Sequence, residues 1–260
     1  MASMIELENT EWALVEDLFD PPRREGAPAR HPRRQVVEAI LFLARTGCQW
    51  RYLPEPYPPW EAVWQQWRRW RKSGVWAKAM LRIAKLIRTR KGKTATPSMV
   101  MIDGQTVRGG RAGPTFHEKG GRGGRTNGAK RSIAIEILGL PLAVSVESAR
   151  PHDVSAGRRL LSTALPKLGT VQDVIADRGY RGLAKMAANN GLNLRIKAPP
   201  KGTSGFTPIA PLYRVEHAFA RLGRWRRLSR CYEGSAESAR AWLEVAALGY
   251  LFARLRVAPA

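Results

Sequence analysis

The chain has 260 residues, with 44 lysines and arginines against 21 aspartates and glutamates, for a formal net charge of +23. A hydrophobic fraction of 44% supports a packed core and excludes global disorder, and the length allows one or two domains. The charge asks for a polyanionic partner, and nucleic acid is the natural one, because lysine and arginine release condensed counterions when they bind phosphates. An anionic membrane is a weaker candidate, because the sequence carries no bilayer-length apolar run and no lipidation motif. Cys48 and Cys231 stand too far apart to suggest a disulfide framework or a zinc pattern. The N-terminal sequence lacks the cationic-then-apolar order of a signal peptide. The expected place of action is the cytoplasm, at the nucleoid, and no membrane is expected as a partner.

The first ninety or so residues read as helical. Residues 11–19 form a short amphipathic stretch stopped by Pro21 and Pro22, and a loop rich in proline and arginine follows. Residues 33–45 place Val36, Val37, Ile40, Leu41 and Ala44 on one helical face, and Gly47 ends the helix. Prolines stiffen residues 54–59, and Pro59 suits the first turn of the next helix. That helix, 60–72, carries Trp60, Trp64 and Trp67 at helical spacing, with Val63 and Trp70 alongside. Another helix is expected over 75–90. Tryptophans so spaced read as core, which turns Arg68, Arg69 and Arg71 outward toward phosphates. Residues 1–92 are therefore expected to be a helical DNA-binding region resembling a helix-turn-helix module.

After a linker at 91–97 the period changes to that of strands. Strands are expected at 98–107, 130–138 and 142–146, the last two joined by a turn at Gly139-Leu140-Pro141. Between the first two lies a cationic, glycine-rich stretch, 108–128, expected to be a loop that orders on DNA. Asp153 can N-cap a following helix. A strand at 171–176, a helix at 181–190, a strand at 192–198, a helix starting near 211 and a final helix at 236–256 complete the chain. The fold class is α/β, with residues 97–260 forming the second domain.

Asp103 and Asp177 each close an apolar run and are expected at the C-terminal ends of strands, where ligands collect in α/β sheets. Neighbouring strands lie about 5 Å apart, so two such aspartates can share metal ions. Each is also an ordinary turn residue, before Gly104 and Gly179 respectively. Glu216 lies on a helix followed by Arg221, Arg224, Arg226, Arg227 and Arg230, and taken alone it reads as a solvated residue. Three carboxylates converging on one point could hold divalent cations and, with the surrounding cations, act on a phosphodiester. Asp173 is a deeper alternative ligand on the same strand face as Asp177, read as structural. The four histidines show no paired metal spacing, and His217 is the one flagged for DNA contact.

These residues resemble a family, the DDE transposases of bacterial insertion sequences, in the insertion-sequence-five group. The resemblance covers nearly the whole chain. It rests on Arg45-Thr46-Gly47-Cys48-Gln49-Trp50-Arg51-Tyr52-Leu53-Pro54, Tyr57-Pro58-Pro59-Trp60 and Trp67-Arg68-Arg69-Trp70 in the first part. In the second part it rests on Ile102-Asp103-Gly104-Gln105-Thr106-Val107, on Ala176-Asp177-Arg178-Gly179-Tyr180-Arg181-Gly182, and on the segment from Val215-Glu216-His217 through Arg230-Cys231-Tyr232-Glu233. The resemblance implies a ribonuclease-H-like mixed sheet with flanking helices. It implies that Asp103, Asp177 and Glu216 are the catalytic, metal-binding triad, with Mg²⁺ as cofactor and Mn²⁺ as a substitute. The implied partners are double-stranded DNA, at transposon ends and target, and a second copy of the chain. Implied DNA contacts come from Arg221, Arg224, Arg226 and Arg227. Where the group often has an arginine four residues before the glutamate, this chain has Leu212, and Arg214 is the nearby substitute. The implied reaction is hydrolytic strand cleavage followed by attack of a 3′-hydroxyl on target DNA. A non-catalytic repressor derived from a transposase, and a nuclease that only hydrolyses, are the other classes to separate.

Overall fold

The computed structural model describes residues 5–21, 29–110, 118–120, 126–198 and 210–257. The chain opens with two short helices, α1 (Asn9–Ala13) and α2 (Glu16–Phe19), so the expected single stretch over 11–19 is broken at Leu14 and Val15. Then come α3 (Arg33–Thr46), α4 (Trp60–Ser73) and α5 (Val75–Arg90), close to their expected bounds. Gly47 and Gly74 end α3 and α4 in the left-handed conformation, at φ 70° and 67°, which costs a glycine little.

The strands are β1 (Met99–Arg108), β2 (Glu118–Gly120), β3 (Thr126–Ile135), β4 (Pro141–Ser148), β5 (Asp173–Ala176) and β6 (Asn193–Ile196). Three helices intervene: α6 (Asp153–Ala164), α7 (Ala184–Asn189) and α8 (Tyr213–Leu222). α9 (Ala236–Val257) closes the chain. β3 pairs antiparallel with β1 on one edge, and with β4 and the short β2 on the other. β5 runs parallel to β1, and β6 parallel to β5. The spatial order β4-β3-β1-β5-β6, with its antiparallel half followed by its parallel half, is the ribonuclease-H-like mixed sheet that the motifs implied.

The structure corrects several local expectations. The stretch 108–128 is not wholly loop: β3 starts at Thr126, where the long tail of β1 pairs with it from Gly128 onward, and Glu118–Gly120 is strand because it pairs with the start of β3. The rest of that stretch, 111–117 and 121–125, lies outside the described residues. Asp153 is the first residue of α6 and not its cap. His152 holds the cap position, and the Asp153 carboxylate instead accepts a hydrogen bond from the Lys130 ammonium at 2.7 Å. The helix expected at 181–190 starts as a 3₁₀ turn over Arg178–Leu183 before α7.

The core is continuous from the first helices into the sheet. Its centre is α9, apolar on nearly every face through Trp242, Leu243, Val245, Leu248, Leu251 and Phe252, as a helix surrounded by protein must be. α9 packs on α3, α4, α5, α8 and β4. Trp67 and Trp70 of α4 are buried, as expected, and Trp67 stacks on Trp242 with ring centroids 4.2 Å apart; Trp76 of α5 is core as well. Trp60 and Trp64 are the exceptions: Trp60 is half-buried with the Arg51 guanidinium over its ring, and Trp64 is 38% exposed with the Arg68 guanidinium over its own. A buried ion pair, Arg88 to Glu136, ties α5 to the end of β3, and Glu136 also accepts the N–H groups of Leu138 and Leu140. No helix among the described residues is long and apolar enough to cross a membrane.

Candidate active site

Asp103 does not sit at the end of its strand. β1 continues to Arg108, because Gly104, Gln105 and Thr106 keep their backbone pairing with Ser132, Arg131 and Lys130 of β3. What does end near Asp103 is the parallel pairing: the last β1–β5 partners are Met101 and Ile175, and Asp177 follows the end of β5 directly. The two aspartates are thus brought to the place where the β5 side of β1 falls open.

Each aspartate is held by a backbone donor. The Gly104 N–H donates to Asp103 Oδ1 at 2.7 Å. The Gly179 N–H donates to Asp177 Oδ1 at 2.8 Å, so Asp177 caps the 3₁₀ turn Arg178–Leu183. In α8, Val215, Ala218, Phe219 and Leu222 are buried at helical spacing, which turns Glu216 to the exposed rim. Asp103 and Glu216 line the same open cleft of about 530 Å³, together with Gln105, Arg131, Phe219 and Leu243. Asp177, which is exposed, is not one of the lining residues.

The electrostatics join all three. Burial pushes the Asp103 carboxyl up to about 6, against the pull of its Gly104 hydrogen bond, and repulsion from Asp177, Asp153 and Glu216 adds to the rise. Asp153 is a fourth carboxylate that sequence reasoning assigned to capping alone. It reaches the site because Gly179 stands between it and Asp177: a Cβ there would lie 3.0 Å from Asp177 Oδ1 and 3.5 Å from Asp153 Oδ2. The donor set is all hard oxygen at mutually repelling carboxylates, which suits a magnesium-like cation that keeps several of its waters. As they stand, the side chains are spread: among the described residues no three histidine, cysteine, aspartate or glutamate side chains close on one metal-sized point.

Asp173 is structural, as expected, in a two-pronged pair with Arg195 at 2.9 and 3.1 Å across β5 and β6. His217 is exposed, its ring edge-on to Tyr213.

A β3 arginine not singled out from the sequence anchors the segment after α8. The buried Arg131 guanidinium donates to the carbonyls of Leu228 and Arg230. Beyond it, the Cys231 N–H donates to the Arg108 carbonyl at 2.9 Å and the Gly110 N–H to the Cys231 carbonyl at 2.6 Å, so this segment continues the sheet beside the tail of β1.

The arginines divide into two groups. Arg68, Arg69, Arg221, Arg224 and Arg226 are exposed. Arg71, Arg214 and Arg227 are half-buried. Arg71 pairs with Glu237, and Arg214 lies over the Tyr213 ring. Arg227 pairs with Glu233 at 2.8 Å and sits 4.2 Å from the Trp242 ring centroid. Arg221 and Arg224 line a second cleft, of about 440 Å³, with Arg45 and Arg256.

Known proteins carry the same patterns. A family model described as "Putative transposase of IS4/5 family" matches residues 7–80, and one described as "Transposase DDE domain" matches residues 94–203. The "Insertion element IS402 uncharacterized 16.2 kDa protein" of Burkholderia cepacia is 36% identical over 109 residues, 39% of this chain and 72% of that protein. The chain belongs to the DDE transposases of insertion sequences. The "Uncharacterized protein y4sN" of Sinorhizobium fredii (strain NBRC 101917 / NGR234) is 27% identical to this transposase over 117 residues, 45% of this chain and 87% of that one. Among solved structures, the "Mos1 transposase paired-end complex with left transposon end" overlaps 91% of this transposase and 80% of its own chain, at 13% identity and a TM-score of 0.30, too loosely to define a shared fold by itself.

Proposed function

We propose that this transposase binds the ends of its element as double-stranded DNA, cuts a strand there, and joins the freed 3′-hydroxyl to target DNA. The observation that carries the proposal is the convergence of Asp103 and Glu216 on one cleft, with Asp177 near enough to raise the Asp103 carboxyl. Asp103, Asp177 and Glu216 are the catalytic carboxylates and the oxygen ligands for Mg²⁺ or Mn²⁺, which supplies nucleophile activation and charge stabilisation at phosphorus. Each aspartate keeps one oxygen fixed by a backbone N–H and the other free to turn into the site. The spread arrangement fits a site that closes when ion and phosphate arrive and offset the repulsion among the carboxylates.

Residues 1–92 supply end binding through exposed arginines such as Arg68 and Arg69, and residues 97–260 supply the chemistry. Arg221, Arg224 and Arg226, beyond Glu216 in sequence, carry the DNA backbone toward the cleft. Because two ends have to be brought together, the working form is a homodimer on DNA at the nucleoid.

The test is strand cleavage of terminal-repeat DNA by the purified chain with Mg²⁺ or Mn²⁺, followed by 3′-end joining to a second duplex. Wild type should do both, and Asp103→Asn neither. A wild-type chain that binds the ends and never cuts them sinks the proposal in favour of a repressor. Cutting without joining sinks it in favour of a nuclease.

A further inference from the structure

Tyr180 is 1% exposed, and its hydroxyl has no hydrogen-bond partner among the described residues. Leaving a buried hydroxyl unpaired is destabilising, and a phenylalanine would fill the same seat without that cost. The seat itself is tightly made. A Cβ on Gly157 of α6 would stand 2.8 Å from Tyr180 Cε1, and a Cβ on Gly104 of β1 would stand 3.1 Å from the hydroxyl oxygen. The ring therefore bridges α6 and β1, and its hydroxyl ends beside the residue that follows Asp103.

The Ser132 hydroxyl, likewise buried without a partner among the described residues, stands 3.4 Å from the same Gly104 Cβ position, and carboxylates lie around both. Tyr180 lies in the 3₁₀ turn that Asp177 caps. Burial first, and then the carboxylates Asp103, Asp153, Asp177 and Glu147, hold the phenol well above its ordinary range, so it stays protonated and can only be a donor toward those acceptors. The register gives the geometry. Gly104 pairs with Ser132 and Gln105 with Arg131, so the hydroxyl approaches β1 on the Ser132 face, while the Asp103 Cβ lies on the other, cleft-side face with Arg131; the carboxylate curls back from there along the open β5 edge to accept from the Gly104 N–H, and the two groups can meet only across that edge.

We propose that the Tyr180 hydroxyl is a positioning group for the carboxylate site, turning toward Asp103 when the site takes a divalent cation and fixing its free oxygen at a set distance from Asp177. This rests on the reading of Asp103 and Asp177 as cation ligands. Tyr180→Phe removes the donor and leaves the ring in its seat. The expected result is an unchanged or higher melting temperature, unchanged binding to terminal-repeat DNA, and about tenfold weaker Mn²⁺ binding by calorimetry on the full chain. Cleavage should fall with it and recover partly at high Mn²⁺. Wild-type Mn²⁺ affinity in Tyr180→Phe overturns the proposal, and so does a wild-type chain that binds no Mn²⁺. A wild-type chain that binds Mn²⁺ and cuts no DNA, with affinity lost in Tyr180→Phe, leaves Tyr180 in its role and removes the transposition chemistry instead.

Discussion

The Arg131 guanidinium, buried on β3, donates to the Leu228 carbonyl at 2.6 Å. With its bond to the Arg230 carbonyl and the backbone pairing of Cys231, this bond joins the sheet that carries Asp103 to the segment that follows Glu216, and so helps set the relative placement of the two carboxylates. Removing the guanidinium leaves the carbonyls of Leu228 and Arg230 without their donor. Arg131→Met should cost about 2–4 kcal/mol in urea denaturation, a donor loss inside a buried site. Because the segment then comes loose, cleavage should fall further than the lost folded fraction explains, and comparing the two measurements checks this.

Asp103 spends stability on its position. Its carboxyl is raised from 3.8 to about 6 in the folded chain, so between those values the folded state holds a proton that the unfolded state has released. Stability from this group is therefore full below about pH 4 and is lost as pH rises through 6. Asp103→Asn keeps an oxygen for the Gly104 N–H and removes the charge. At pH 7.5 the variant should be inactive and more stable, by on the order of 2 kcal/mol. At pH 4 the two chains should melt together. An equal gap at both values would contradict the electrostatic account.

How much of this was legible beforehand differs by residue. β1 and β5 announce themselves through Val100-Met101-Ile102 and Val174-Ile175-Ala176, which fixed Asp103 and Asp177 as candidates without any partner in view. Glu216 has no such local signal: its helix is amphipathic in the ordinary way, and only the motif around it raised it above a solvated residue. Asp153 and Tyr180 stayed hidden because their roles depend on how α6 and the 3₁₀ turn pack on the sheet, and Arg131 because its role depends on which strand face it occupies. That face follows from the pairing of Gly104 with Ser132. The pairing, in turn, extends into a glycine-rich stretch whose composition reads as loop. Shifting β3 by one residue would send Arg131 away from the cleft and remove the anchor altogether.

Glu244, which is not one of the residues lining the Asp103 cleft, gives a second pH-dependent effect. It lies on α9, 2% exposed, with Arg240 at 3.1 Å, and burial pushes it from 4.5 up to about 7. The sign is the same as for Asp103: the group's contribution is whole below about pH 4.5 and lost as pH rises through 7. Glu244→Gln should raise the melting temperature at pH 8 and change it little at pH 4. The gain corresponds to about 2–3 kcal/mol, less whatever the Arg240 pair contributes in wild type.

Gly249 shows how closely α9 is fitted. A Cβ there would lie 2.1 Å from Trp225 Cη2 and 2.5 Å from Cζ2. On helix propensity alone, Gly249→Ala would stabilise by about 1 kcal/mol. The clash with a buried indole should reverse the sign, for a net loss of roughly 1–3 kcal/mol in chemical denaturation. Trp225→Leu in the same chain should restore part of the loss, which a purely local helix effect would not allow.

Arg224 and Arg227, three residues apart, should fail in different ways. Arg224 is exposed on the rim of the second cleft. Arg227 is held by Glu233 and lies over Trp242, with Trp50 also beside it. Arg224→Ala should change stability by roughly 0.5 kcal/mol or less in chemical denaturation and weaken DNA binding at every sequence tested. If it contacts one phosphate, the slope of log affinity against log salt should become shallower by about 0.9. Arg227→Ala should instead destabilise the chain. It removes a cation–π contact of about 0.5–2 kcal/mol and leaves Glu233 half-buried without its partner, though Ser238 still donates to the other Glu233 oxygen at 2.6 Å. Its salt slope, measured on the folded fraction, should match wild type. A shallower slope for Arg227→Ala would move this arginine back into the DNA path, where the motif alone had put it.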